Sequence, residues 1–250
     1  MVRGSRSGNS TLAAVVRRLE RQYGSPHFER EDPLESLIGT ILSQNTSDVN
    51  SGRAYDAMVR AFPTWADVMN AKVRDLEKVL RPGGLAKTKG RRIQKILRSI
   101  SVRGGLNLDF LEGLPDSDAE RALVSFEGVG LKTARCVLLF ALGRDVFPID
   151  THIERILKRL GIIPANMTVT QAHAYVPPLI PRGACLSLHL NLIFHGRAVC
   201  HSRNPECGKC LLRGCCMCPG TDGTYGTNGT NGTNVKGVKV GKGGKGRRVP

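Results

Sequence analysis

Apolar residues recur about every three or four positions along most of the chain before residue 219, the spacing of a helix with one buried face. The pattern predicts a helix over residues 11–22, and a helix on each side of the polar stretch SQNTSD between Leu34 and Arg60. Two more helices, WADVMNAKVRDLEKVL and KGRRIQKILRSI, flank a Pro-Gly-Gly break. SDAERALVSF, GLKTARCVLLFAL and THIERILKRL add others. We therefore expect an all-α protein.

Strand-type alternation stands out only in CLSLHLNLIF, where leucine recurs at period two at Leu186, Leu188, Leu190 and Leu192. A single strand among helices would have no partner with which to form a sheet. We therefore predict a buried helix here.

Two helix starts carry the capping-box pattern, in which Ser or Thr is followed by Glu at the third position along. The pairs are Ser117 with Glu120, and Thr151 with Glu154. If Thr151 caps its own helix, the neighbouring Asp150 is left for another task. The alternative is that Asp150 is itself the cap.

The full chain contains 37 Lys plus Arg against 21 Asp plus Glu, a formal net charge of +16. This excess favours a polyanionic partner, with nucleic acid first, over a merely solvated basic surface. Aromatic residues make up only 5%, which favours contacts to the duplex backbone over stacking on single strands. No stretch is apolar enough for a membrane span or a signal peptide, so we expect an intracellular protein in the cytoplasm or nucleoid, or in a eukaryotic nucleus.

Two glycines, Gly128 and Gly130, stand between two predicted helices in EGVGLK. They allow a sharp turn that exposes backbone N–H groups to a phosphate, although a plain tight turn is the alternative. Lys132 follows in the first helical turn, where the helix dipole disfavours a cation. Partial burial there would keep some of its amine uncharged, as a Schiff-base nucleophile requires; a phosphate-contacting lysine is the other interpretation. An ionised Asp150 nearby would suit a reaction through a cationic sugar.

Six of the eight cysteines lie between residues 200 and 218. The spacing C-x6-C-x2-C-x5-C, typical of an iron-sulfur centre, is formed by Cys200, Cys207, Cys210 and Cys216. A rival zinc pattern, with a short central gap, is formed by Cys207, Cys210, Cys215 and Cys218. We expect His195 and His201 to be structural.

Taken together, EGVGLKTA, PIDTH, SQNTSD, GGLAKTKGRRI, HGRAVC and the cysteine spacing resemble the helix-hairpin-helix DNA glycosylase superfamily, specifically its endonuclease III branch. The likeness runs from about Leu34 to Cys216 in the family's order. The joint occurrence of the motifs is specific, although no single one is. The resemblance implies a two-lobed all-α fold with DNA and a flipped base held in the cleft.

The resemblance also implies a division of the chain. Residues 25–143 would form the six-helix lobe with the hairpin, and residues 1–24 with 144–218 the lobe that holds a [4Fe-4S] cluster. Residues 219–250, a Gly-Thr-Asn repeat with a basic end, are predicted to be a disordered tail. Its positive charge would add nonspecific grip on DNA or serve only solubility.

The resemblance gives Lys132 the role of the Schiff-base lysine and Asp150 that of the catalytic aspartate. It implies that Gly128 and Gly130 hold a DNA phosphate and that Leu85 is a wedge pushed into the base stack.

The resemblance further implies that Gln44 or Asn45 fills the gap beside the estranged base. The commonest family pattern has glutamine where Asn45 stands, and the choice between the two stays open. Arg203, between the first two cluster cysteines, is a candidate contact to the DNA backbone.

The implied activity is that of a base-excision-repair DNA glycosylase with AP lyase activity. It would remove damaged, oxidised pyrimidines from duplex DNA as a monomer and nick the strand by β-elimination. The alternatives are a glycosylase for mismatched thymine, uracil or 5-methylcytosine, and a non-catalytic iron-sulfur DNA-binding protein.

Overall fold

The computed structural model describes residues 8–26 and 29–218, and the regular secondary structure of this part is helical. Its α-helices are α1 (Gly8–Tyr23), α2 (Pro33–Ser43), α3 (Asp48–Ala61), α4 (Trp65–Asn70), α5 (Val73–Leu80), α6 (Ala86–Ser101), α7 (Asp116–Val124), α8 (Leu131–Phe140), α9 (Thr151–Arg159), α10 (Val169–Tyr175) and α11 (Cys185–Ala198). The all-α prediction is confirmed. The predicted disordered tail, residues 219–250, lies outside the described residues.

The segment that begins at Trp65 forms two helices rather than the single one predicted. Ala71 and Lys72 are extended between α4 and α5. The buried amide of Gln94 explains the break, because its Nε2 donates to the carbonyls of Val68 at 3.1 Å and Ala71 at 2.8 Å. A side chain from α6 therefore satisfies backbone groups at the end of α4.

The leucine-rich segment is a helix, as predicted. Leu188 and Leu192 of α11 are buried, and Leu186 and Leu190 are half-buried. α11 contacts α1, α8 and α9, so apolar side chains are accommodated around much of its circumference and the period-two pattern has no bearing on a sheet.

The capping box predicted at Ser117 is wrong. α7 begins at Asp116 after Pro115, without a side-chain cap, and Ser117 lies inside the helix. Proline has no N–H and a fixed φ, which suits it to a helix start. Glu120 forms an ion pair with Arg135 of α8 instead.

Two clusters of buried apolar residues form the core. The first draws on α2 to α8, between Leu34 and Ala141. The second draws on α1, α9 to α11 and the cysteine-rich segment as far as Leu212. Helix α8 belongs to both, with Ala134 and Val137 in the first core and Cys136, Leu139 and Phe140 in the second. Helix α8 therefore lies at the junction of the two cores.

An ion pair also joins the two parts. Arg197 of α11 donates from Nη1 and Nη2 to the carboxylate of Asp48, at the start of α3, at 2.7 and 3.2 Å. Both side chains are nearly half exposed, so the pair contributes more to orientation than to stability. None of the described helices is long and apolar enough to cross a membrane.

Candidate active site

A glycine turn connects α7 to α8. Gly128 has φ +76°, a left-handed conformation that glycine adopts without strain, and a Cβ there would collide with the side chain of Arg92. Gly130 precedes α8 in an extended conformation, and no side chain caps the helix. The first N–H groups of α8 therefore lie at an exposed turn. Backbone donors and the helix dipole can bind a phosphate at such a place.

Lys132 lies in the first turn of α8 and is half-buried. One turn later comes the fully buried Cys136. Burial raises the pKa of this thiol, the charge of Lys132 lowers it, and the charges of Asp150 and Glu31 raise it. The lysine and the aspartate therefore approach the same buried thiol, as expected if they meet at one site.

Asp150 is the N-cap of α9. Its Oδ1 accepts a hydrogen bond from the backbone N–H of Ile153 at 2.7 Å. The predicted capping box of Thr151 and Glu154 is wrong, because Thr151 is already helical and exposed, and Glu154 pairs with Lys158 at 2.7 Å. The alternative, that Asp150 is itself the cap, is what the structure has. The cap fixes its carboxylate at a helix N-terminus, where negative charge is stabilised.

His189 of α11 lies within electrostatic range of both Lys132 and Asp150. The sequence alone does not identify it. It is fully buried, and its Nδ1 lies 2.9 Å from the carbonyl oxygen of Pro148. Burial lowers its pKa to about 4, and the charges of Asp150 and Lys132 both act on it. The sequence signal is the row of polar residues Ser187, His189 and Asn191, which alternate with leucines in α11.

The polar turn after α2 carries two amide side chains, Gln44 and Asn45, with different surroundings. Gln44 is fixed to the hairpin, since its Oε1 accepts from Arg92 Nη1 at 2.7 Å and its Nε2 donates to Thr133 Oγ1 at 3.3 Å. Asn45 is exposed, with a left-handed φ of +53°. The side chain that points away from the protein at this turn is therefore that of Asn45.

The loop before α6 presents Leu85. Leu85 is 57% exposed and its backbone has φ +48°, which is uncommon for a residue with a branched side chain. The buried ammonium of Lys89 holds this loop, donating to the carbonyls of Leu42 at 2.7 Å and Gly83 at 2.8 Å. One lysine thus connects the end of α2 to the loop of Leu85. Sequence alone does not single out Lys89, although the pattern shows a lysine on an apolar helix face.

The cysteine-rich segment packs against the second core. Burial raises the pKa of Cys210 to about 11. A hydrogen bond with the backbone of Leu212 lowers this pKa, and the charges of the neighbouring thiols Cys200, Cys216 and Cys207 raise it. All four predicted cluster cysteines are half-buried, whereas Cys218 is exposed. In the part of the chain that the structure describes, no three Cys, His, Asp or Glu side chains are arranged to hold a single metal ion.

Polar groups surround two of these thiols. Arg159 Nη1 donates to Cys200 Sγ at 3.1 Å. His195 is fully buried, with Nε2 3.4 Å from Cys210 Sγ and Nδ1 2.9 Å from the hydroxyl of Tyr23. These contacts are of the kind that orient sulfur ligands from outside a metal centre.

Arg203 lies exposed in the loop between Cys200 and Cys207. Arg159 fixes this loop by donating to the carbonyls of His201 at 2.7 Å and Ser202 at 3.1 Å. The loop is anchored while the guanidinium of Arg203 faces solvent.

Comparisons with known proteins agree with this arrangement. The family described as "HhH-GPD superfamily base excision DNA repair protein" matches residues 38–179. A putative DNA glycosylase of Arabidopsis thaliana is 38% identical over 170 residues, which are 68% of this chain and 58% of the relative, so the chain spans little more than half of that protein. Endonuclease III of Thermotoga maritima is 30% identical over 205 residues, 82% of this chain and 92% of the relative.

The fold agrees as well. A solved structure of a trapped covalent intermediate between endonuclease III and DNA superposes with a TM-score of 0.72 at 26% identity, covering 87% of this chain and 97% of that one. The chain belongs to the HhH-GPD superfamily of base excision DNA repair proteins, in its endonuclease III branch.

Proposed function

We propose that the chain is a bifunctional DNA glycosylase and AP lyase that excises oxidised pyrimidines from duplex DNA. The observation that carries the proposal is that Lys132 and Asp150, on different helices, both act electrostatically on Cys136 and His189 at the junction of the two cores. A nucleophilic amine beside a carboxylate is the pair that this chemistry requires.

In the proposed reaction the damaged nucleotide is flipped out of the duplex at a cost of roughly a few kcal/mol. The amine of Lys132 forms a bond to C1′ of the sugar while the glycosidic bond breaks and its electron pair leaves with the base, which takes up a proton. The sugar ring opens to a Schiff base. Loss of a C2′ proton then expels the 3′ phosphate, and Asp150 stabilises the cationic sugar and moves protons.

Several exposed groups would hold the DNA. Gly128 and Gly130 offer the turn for a backbone phosphate, and Arg203 offers a second contact on the anchored cysteine loop. Leu85 would enter the base stack. Asn45, rather than the hydrogen-bonded Gln44, would fill the space beside the estranged base, because only Asn45 is not tied to the hairpin.

The two cores support a two-lobed organisation, with residues 25–143 as one lobe and residues 1–24 with 144–218 as the other. Helix α8 is shared, so the boundary near residue 143 lies just beyond the helix that belongs to both cores. DNA would then occupy a cleft between the lobes, with Lys132 and Asp150 facing it.

The decisive experiment offers duplexes that carry thymine glycol, uracil opposite guanine, 5-methylcytosine or an abasic site, and adds borohydride to reduce any Schiff base. We expect a covalent protein–DNA adduct on the abasic and thymine glycol duplexes, with the strand nicked when borohydride is omitted. Strongest reaction with uracil or 5-methylcytosine would place the chain among glycosylases for those bases. Binding without adduct on any duplex would refute the lyase assignment.

We also propose that Cys200, Cys207, Cys210 and Cys216 hold a [4Fe-4S] cluster. The charges of Cys200, Cys207 and Cys216 all act on Cys210, which supports the proposal that the four thiols lie near one another, as ligands of one cluster must. The contacts of Arg159 and His195 would orient two of the thiolates. When bound, such a cluster would supply structural support to the loop of Arg203.

A pair of substitutions separates this cluster from the rival zinc site. Cys200→Ser removes a ligand only of the cluster set, and Cys218→Ser one only of the zinc set. We expect Cys200→Ser to lose iron, sulfide and the broad visible absorption of the purified protein, and Cys218→Ser to keep them. The reverse pattern, or zinc in place of iron in the wild-type protein, would contradict the cluster.

A further inference from the structure

One ring nitrogen of His189, Nε2, is buried without a hydrogen-bond partner among the described residues. The carbonyl of Pro148 only accepts, so Nδ1 of His189 must carry the proton that it donates at 2.9 Å. In the neutral ring Nε2 is then an acceptor. Nε2 is buried and has no partner among the described residues, although buried polar atoms are almost always hydrogen-bonded.

The surroundings of the ring narrow the choice of donor. The rings of Phe140 and Phe147 pack edge-on against His189, at centroid distances of 5.5 and 6.2 Å, and neither offers a polar hydrogen. Asp150 and Lys132 are the charged residues that act on the imidazole. An ionised carboxylate has no hydrogen to donate, whereas an ammonium has three. Lys132 shares one hydrogen bond with the thiol of Cys136, which leaves two hydrogens, so Lys132 is the charged residue that can act as the donor.

We propose that His189 is a positioning residue for Lys132, whose ammonium reaches Nε2 through one ordered water. This inference rests on the proposed function. The lysine would be held beside Asp150 by an acceptor that carries no charge. A second carboxylate in that place would stabilise the ammonium further and hinder release of the proton that nucleophilic attack requires.

Burial lowers the pKa of His189 to about 4, so the ring stays neutral at physiological pH and Nε2 remains an acceptor. The hydrogen bond to Pro148 has a second effect, because Pro148 lies two residues before Asp150. The same imidazole thereby fixes two things: the segment that carries Asp150, through Nδ1, and the amine of Lys132, through Nε2.

Two substitutions divide the functions of the ring. In His189→Asn the amide nitrogen replaces Nδ1 and can still donate to Pro148, while the acceptor at Nε2 is lost. In His189→Gln the amide oxygen replaces Nε2, while the donor to Pro148 is lost. A purely structural role predicts that Asn is tolerated and Gln is not; a role through Nε2 predicts the opposite for the reaction rate.

We expect His189→Asn to form the borohydride-trapped adduct on an abasic duplex roughly tenfold more slowly at saturating DNA, the loss typical of one hydrogen bond to the reacting group. Its KM and its melting temperature should stay close to those of the wild type. His189→Gln should retain more of the rate while melting earlier. A wild-type rate in His189→Asn would overturn the proposal.

A measurement independent of activity keeps the inference testable if either variant fails to fold. In protein labelled with ¹⁵N-histidine, the Nε2 resonance of His189 should shift when Lys132→Met removes the donor. An unchanged resonance would overturn the proposal. If instead the wild-type protein formed no adduct while this resonance moved, the proposed function would fail and the contact between the two residues would stand.

Discussion

Lys132→Gln is expected to abolish the borohydride-trapped adduct and to lower strand nicking at an abasic site by roughly 10³-fold or more, as loss of a covalent nucleophile does. Gln is of similar length and keeps polar contacts in the half-buried site, but its amide cannot attack C1′. Single-turnover cleavage of an end-labelled abasic duplex, with and without borohydride, measures both losses.

The substitution should leave the fold intact. It removes a cation from the first turn of α8, where the helix dipole disfavours positive charge, so the free energy of unfolding should be unchanged or rise by about 0.3–1 kcal/mol. Lys78→Gln in the exposed part of α5 changes the net charge equally and should nick normally. A trapped adduct that persisted in Lys132→Gln would mean that another amine is the nucleophile.

The hairpin and its lysine could be read from the sequence because their conformation is local. A glycine at φ +76° and a lysine two residues into the following helix are set by neighbours in the chain. The helices of the all-α fold follow in the same way from apolar spacing. Even the leucine alternation of α11 was interpreted correctly, because a lone strand would have had no partner.

What the sequence could not show depends on contacts between distant residues. Lys89 donates to the carbonyl of Leu42, and His189 to that of Pro148, and no local pattern pairs them. The proposal of Asn45 rather than Gln44 likewise depends on Arg92 of α6, which donates to Gln44. Contacts of this kind are decided by packing between elements that are distant in the sequence.

The wrong cap at Thr151 shows the limit of a local pattern. Thr151 and Glu154 have the right spacing, but Asp150 stands one residue earlier and its carboxylate caps α9. The error concerned a residue with two roles. A group that caps a helix is also held rigidly, which is an advantage for a carboxylate that must face a developing positive charge.

Asp150→Asn tests these two roles separately. Asparagine is as good an N-cap as aspartate, and its Oδ1 can accept from Ile153 as the carboxylate does at 2.7 Å. The melting temperature should therefore stay near that of the wild type. Without the negative charge, adduct formation should slow by roughly 10²-fold or more, because the amide neither takes up a proton nor stabilises a cationic sugar as a carboxylate does.

Asp150→Ala should show the same loss of rate together with a free energy of unfolding lower by about 1 kcal/mol, since it removes the cap as well. Thr151→Ala serves as the control for the rejected capping box and should change neither quantity. Urea unfolding and single-turnover adduct formation on the three variants give both measurements. A wild-type rate in Asp150→Asn would mean that the aspartate acts only as a helix cap. Another group would then have to stabilise the developing positive charge.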